Sequence, residues 1–91
     1  MVQDMNRINE LSDKLRALSH PQRLCIVRDL LEHDANVTSI QQQLGIPQPS
    51  VSAHLSKLRT AGIICGSRSG QQIRYQVIDA DTRALMSRLL D

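Results

Sequence analysis

Residues 37–63 read Val37-Thr-Ser-Ile-Gln-Gln-Gln-Leu-Gly-Ile-Pro-Gln-Pro-Ser-Val-Ser-Ala-His-Leu-Ser-Lys-Leu-Arg-Thr-Ala-Gly-Ile63. Two short helical patterns meet in this stretch across a tight turn. The first opens at Val37 or Thr38 and runs through Leu44, after which Gly45 stands where a helix end calls for a left-handed residue. Ile46-Pro47-Gln48-Pro49-Ser50 forms the turn and the start of the second helix, which runs to about Ala61 and stops at Gly62. The spacing over residues 37–61 is that of a helix-turn-helix.

Charge is segregated around this unit. From Asn36 to Ile78 the chain carries Lys57, Arg59, Arg68 and Arg74 and no Asp or Glu, whereas both flanks are slightly acidic, so the formal net charge of +2 understates a concentrated basic window. A basic window on a helix-turn-helix points to a polyanion, and to DNA in particular. At about 100° per residue, Val51, Leu55 and Leu58 share the arc of the second helix that must face a core. The opposite side collects Pro49, Ser50, Ala53, Ser56, Lys57 and Thr60, which are small or polar and include no acid. Small residues let a helix sink toward base edges, so Gln48, Pro49, Ser50, Ser52, Ala53 and Ser56 form the expected DNA face. Gln48 and Ser50 stand at the N-terminal end, where recognition helices touch bases. Lys57 and Arg59 lie further along, better placed for phosphates. A polar, basic helix face is usually just solvated, and Gln48 or Ser50 read alone is as well explained as a helix cap; the conjunction of acid-free surface, helix-turn-helix spacing and a basic hairpin favours DNA. His54 falls beside the core arc and reads as a packed histidine that hydrogen-bonds locally rather than a base reader or metal ligand.

After Gly62 the period changes. Ile63-Ile64-Cys65 and Ile73-Arg74-Tyr75-Gln76-Val77-Ile78 are β-rich runs around a loop over 66–72, which together make a wing over 63–78. Arg68 at its tip and Arg74 on its second strand are placed to reach the DNA backbone or a minor groove. Upstream, Met5, Ile8, Leu11, Leu15 and Leu18 recur three or four apart, predicting an amphipathic helix over 4–18. Pro21 opens a second helix behind Ser19 or His20, with Leu24, Ile26, Val27, Leu30 and Leu31 as a broad apolar face. Residues 79–90 return to helix, capped by Asp79 or Asp81, with Leu85, Met86, Leu89 and Leu90 on one side.

The expectation is therefore one mostly-α domain over 1–91, a winged helix-turn-helix of order α-α-α-α-β-β-α. The chain has no Trp or Phe and a single Tyr, which suits helix-on-helix packing in aliphatic side chains. Ninety-one residues bury a modest core, and the stripes of helices 4–18 and 79–90 exceed what one copy covers, so these helices are expected to pair in a homodimer that reads a palindromic operator. No signal peptide or membrane span is apparent, which places the protein in the cytoplasm. An enzyme is not expected: there is no phosphate-binding Gly-rich loop, and no nucleophile and base fall on adjacent elements. No cofactor is expected either.

From Leu15 to Val77 the chain resembles the ArsR/SmtB family of small bacterial winged-helix repressors. The likeness is carried by Leu18-Ser19-His20-Pro21-Gln22-Arg23-Leu24, by Ser50-Val51-Ser52-Ala53-His54-Leu55-Ser56-Lys57-Leu58-Arg59-Thr60-Ala61-Gly62-Ile63, and by Arg74-Tyr75 at the end of the wing. The resemblance implies a homodimer paired through its first and last helices, released from operator DNA by an inducer whose identity these residues do not state. Two departures stand out. The stretch matching the family's thiol-rich metal site, Val37-Thr-Ser-Ile-Gln-Gln-Gln, holds no Cys or His, and the last helix offers only Asp79 and Asp81 where zinc and nickel sensors carry Asp and His. Neither set suits a transition metal, so no metal site is expected. Some members sense oxidants or reactive sulfur through paired cysteines, which makes Cys25, beside Arg23 and Arg28, and Cys65 candidate redox residues; their bland reading is ordinary packing. The rival from another class is a winged helix used as a protein-interaction module, which would show apolar or mixed-charge residues on its recognition helix.

Overall fold

A computed structural model describes residues 4–90; the terminal residues 1–3 and 91 of the expected domain lie outside it. Five helices and one hairpin follow in the expected order: α1 (Met5–Leu18), α2 (Pro21–Glu32), α3 (Val37–Leu44), α4 (Gln48–Thr60), β1 (Ile64–Ser69), β2 (Gln72–Val77) and α5 (Ala80–Leu90). The helix ends have local causes. His20 caps α2, its ring Nδ1 accepting from the Gln22 N–H at 3.1 Å, with Pro21 pre-set in the first turn. Asn36 caps α3 by accepting from the Ser39 N–H at 2.9 Å, and Gly45 ends it at φ +68°.

The core is aliphatic and central. Ile26, Val27 and Leu30 of α2, Ile40 of α3, Val51, Leu55 and Leu58 of α4, and Ile63 and Ile64 at the wing base are all buried, joined by Tyr75, Val77 and Met86. Met86 corrects the sequence reading: it is 4% exposed and belongs to the core of its own chain rather than to a dimer surface.

The wing is longer in strand and tighter in turn than its sequence suggests. β1 and β2 pair antiparallel from Ile64↔Val77 to Ser69↔Gln72, leaving only Gly70 and Gln71 between them. Gly70 takes φ +65° as the first of the two loop residues, the arrangement of a type II′ hairpin. Arg68 is therefore inside β1, opposite Ile73, one step back from the turn. Gly66 lies where a Cβ would meet Ile73 Cγ2 at 2.7 Å and the Tyr75 ring at 3.1 Å, so the strand crosses these side chains only because that position is glycine. At its base the sheet gains a short third partner: Ala35 bridges Tyr75 by two backbone hydrogen bonds of 3.3 and 2.8 Å.

α5 is held to α1 by charge. The Asp79 carboxylate accepts from the Thr82 N–H at 2.9 Å and its hydroxyl at 2.6 Å, capping α5, and from Lys14 Nζ at 2.7 Å. Lys14, in the middle of α1, is only 8% exposed, with Asp81 at 3.5 Å and Glu10 at 3.8 Å from its ammonium. Burial pushes the Asp79 carboxyl up, but the hydrogen bonds from Lys14 and Thr82 outweigh it and hold the group below its ordinary range. A depressed carboxylate contributes stability that is complete above its unfolded range and is lost as pH falls through the folded value. Asp79→Ala is expected to cost about 0.5–2 kcal/mol through the lost cap. Urea unfolding at neutral pH should show this gap between wild type and variant, and the gap should close in acid; a gap that persists unchanged in acid would contradict the assignment.

Candidate nucleic-acid interface

α4 is seated by one face and bare on the other. Val51, Leu55 and Leu58 are at most 2% exposed, while Gln48, Pro49, Ser52, Ala53, Ser56, Lys57 and Arg59 are all exposed. Ser50 is half-buried, which turns it partly away from the surface the other residues share. No side chain caps α4; in its first turn the Ser50 and Val51 amides donate to the Pro47 carbonyl at 3.0 and 3.2 Å. Gln48 is thus not consumed as a helix cap. The turn into α4 is rigid for local reasons, with Gly45 left-handed and Pro47 and Pro49 each restricting φ.

The wing arginines differ in their engagements. Arg68 is exposed near the tip. Arg74 is exposed too, but one of its guanidinium nitrogens donates to the Asp34 carbonyl at 2.9 Å, and Asn36 donates to the Gln72 side chain at 2.8 Å nearby. Together with the Ala35–Tyr75 bridge these bonds pin the wing to the loop between α2 and α3. Arg74 therefore carries an anchoring duty that periodicity and charge did not reveal.

His54 is packed, as its helical position suggests, but its partners lie on another helix rather than nearby in sequence. Its Nε2 is 2.8 Å from Gln22 Oε1 and its Nδ1 is 3.3 Å from an Arg23 nitrogen, and its ring centroid is 4.6 Å from that of His20. Arg23, 9% exposed, also donates to the Ala17 carbonyl at the end of α1. Burial first, then His20, Arg23 and Lys57, lower the His54 pKa below the ordinary imidazole value.

The residues available to a metal do not fit one. The α3 stretch offers only aliphatic, hydroxyl and amide side chains, and both carboxylates at the start of α5 are engaged by cations, Asp79 by Lys14 and Asp81 by Arg7. Among the described residues no group of three or more His, Cys, Asp or Glu is placed to hold an ion. Cys25 on α2 and Cys65 on β1 are both half-buried free thiols, and a redox role for them rests on their chemistry alone. Among the described residues no helix is long and apolar enough to cross a membrane.

Known proteins share this architecture. A family model described as bacterial regulatory protein, arsR family, matches residues 20–65. The chain is 40% identical over 83 residues to the Biofilm growth-associated repressor of Xylella fastidiosa (strain Temecula1), spanning 91% of this chain and 73% of that protein. The crystal structure of the transcriptional repressor BigR from Xylella fastidiosa superposes with a TM-score of 0.83 at 39% identity, over 98% of this chain and 92% of that one. The transcriptional repressor PagR of Bacillus anthracis superposes with a TM-score of 0.86 at 33% identity, over 96% of this chain and 99% of that one. With the helix-turn-helix, the wing and these matches in agreement, the chain belongs to the ArsR family of bacterial regulatory proteins.

Proposed function

We propose that this protein is a dimeric transcriptional repressor that binds operator DNA through α4 and the wing. The observation that carries the reading is the bare, carboxylate-free face of α4, set beside an exposed wing arginine on a rigidly seated helix-turn-helix. Gln48, Pro49, Ser52, Ala53 and Ser56 would approach base edges, with Ser50 at the margin; Lys57, Arg59 and Arg68 would hold phosphates, and Arg74 would brace the wing while presenting its charge. A protein-docking role for α4 is not favoured, because the exposed large apolar residues sit mainly on α1 and α5 and none lies on α4. No enzymatic role is proposed, and the site of action is the cytoplasm, where the DNA is.

The test is salt-dependent binding to selected operator DNA. Lys57→Ala or Arg68→Ala is expected to weaken binding to all sequences and to reduce the slope of log affinity against log salt by about 0.9 for each phosphate no longer neutralised. Gln48→Ala should instead relax preference at particular base pairs by roughly 1–3 kcal/mol. Unchanged discrimination at every operator position in Gln48→Ala would remove that residue from base readout, and an unaltered slope in both cationic variants would overturn the interface.

A further inference from the structure

The proposed repressor depends on how α4 is held against the rest of the domain, and one polar cluster adds to the hold of the buried Val51, Leu55 and Leu58 away from the DNA face. His54 leaves α4 on the flank between its buried arc and its exposed one. Its two ring nitrogens meet groups with fixed demands. The Arg23 guanidinium has only donors, so Nδ1 must accept from it; Gln22 Oε1 can only accept, so Nε2 must donate. Both bonds select one form of the ring, neutral and protonated at Nε2. Arg23 in turn grips the last turn of α1 through the Ala17 carbonyl, and the Gln22 backbone N–H donates to His20 Nδ1 in the cap of α2. The cluster thus fastens the recognition helix to the end of α1 and the start of α2.

We propose that His54 is a positioning residue for the recognition helix: in its neutral form it clamps α4 to α2, and protonation of the ring releases the clamp and weakens operator binding. A second proton would sit on Nδ1, pointing at the Arg23 donor. The bond would become an encounter between two cations, with His20 on the α2 side and Lys57 on its own helix adding to the repulsion. Carboxylates of α1 do not offset this. Asp13 pairs with Arg16 at 2.9 Å, and Glu10 lies with Arg7 and Lys14 at 3.7 and 3.8 Å, though both acids line the same groove as Arg23 and Lys57. The lowered pKa of His54 agrees in direction. A cationic group depressed on folding contributes stability that is complete above its ordinary value and is lost as pH falls through the imidazole range.

The inference rests on the DNA-binding reading and makes an expectation opposite to simple charge. Acid makes the protein more positive, which by itself would tighten DNA binding. If the clamp governs, operator affinity at constant salt should hold steady near neutrality and then fall, by up to about tenfold per pH unit, once the pH drops below the ordinary imidazole value. His54→Gln keeps a donor for Gln22 and gains no proton, so it should bind near wild type at neutral pH and lose the acid response. Wild-type affinity that is flat or rises in acid, or an acid response fully retained in His54→Gln, would overturn the proposal. Should His54→Gln fail to fold, nitrogen NMR of the wild-type imidazole decides the point without DNA. The expected signal is the Nε2–H tautomer at neutral pH, and an Nδ1–H or averaged ring would overturn the clamp. Absence of operator binding by wild type at every pH would reject the repressor reading itself, and the NMR result would still stand on its own.

Discussion

Replacing Ile8 and Leu11 together by Asp is expected to give a monomer that binds operator DNA about 100-fold to 10,000-fold more weakly, the range over which linked binding exceeds single binding. Met5, Ile8, Leu11 and Leu15 form one stripe on α1 and are 47, 50, 39 and 46% exposed; Leu89 and Leu90 on α5 are 68 and 52% exposed. Between the two helices runs a groove of about 490 Å³ walled by Leu11, Leu15, Leu18 and Leu85. An apolar strip of this kind on a small domain marks an interface, and a two-fold pairing would place two α4 helices on a palindromic site. Because these side chains are outside the protomer core, the substitutions should leave helix content near wild type. Sedimentation should report half the wild-type mass, with a salt slope cut to about half. A variant that remains dimeric, or a monomer with undiminished operator affinity, would refute the arrangement.

Leu58→Ala should destabilise the fold by about 2–5 kcal/mol, the cost of emptying a fully buried leucine site. Leu58 is 0% exposed and shares its arc with Val51 and Leu55, which together press α4 onto α2 and the wing base. Against a typical total of about 5–15 kcal/mol, such a loss removes a large share of stability. Ser56→Ala, two residues away on the exposed face, should change stability by no more than about 0.5 kcal/mol while still probing the DNA surface. Urea denaturation at matched protomer concentration separates the two. A loss below about 1 kcal/mol for Leu58→Ala would mean that α4 is not seated as described.

The sequence by itself determined the features set by short-range constraints. Pro21 and Gly45 act on their own backbone torsions, and the 3.6-residue period of Val51, Leu55 and Leu58 needs only a helix to place them on one face. Element order, a capped start of α5 at Asp79 or Asp81 and the acid-free face of α4 all followed from such rules, and the fold selected Asp79 as the cap. Tertiary structure decided whatever depends on partners distant in the chain. Met86 and Leu89 share a helix face by periodicity, yet only Met86 meets the protomer core. Nothing in the α1 pattern singles out Lys14, whose ammonium meets Asp79, 65 residues later, only in the fold. The wing turn shrank to Gly70 and Gln71 because strand pairing satisfies the backbone of residues whose own composition looks like loop. His54 shows the division most directly. Helical geometry places it at the edge of a buried face, but its tautomer is chosen by Gln22 and Arg23, more than 30 positions away. Hydrogen bonds and charges act through space over a few ångströms, whereas local pattern reports only the direction in which a side chain sets out.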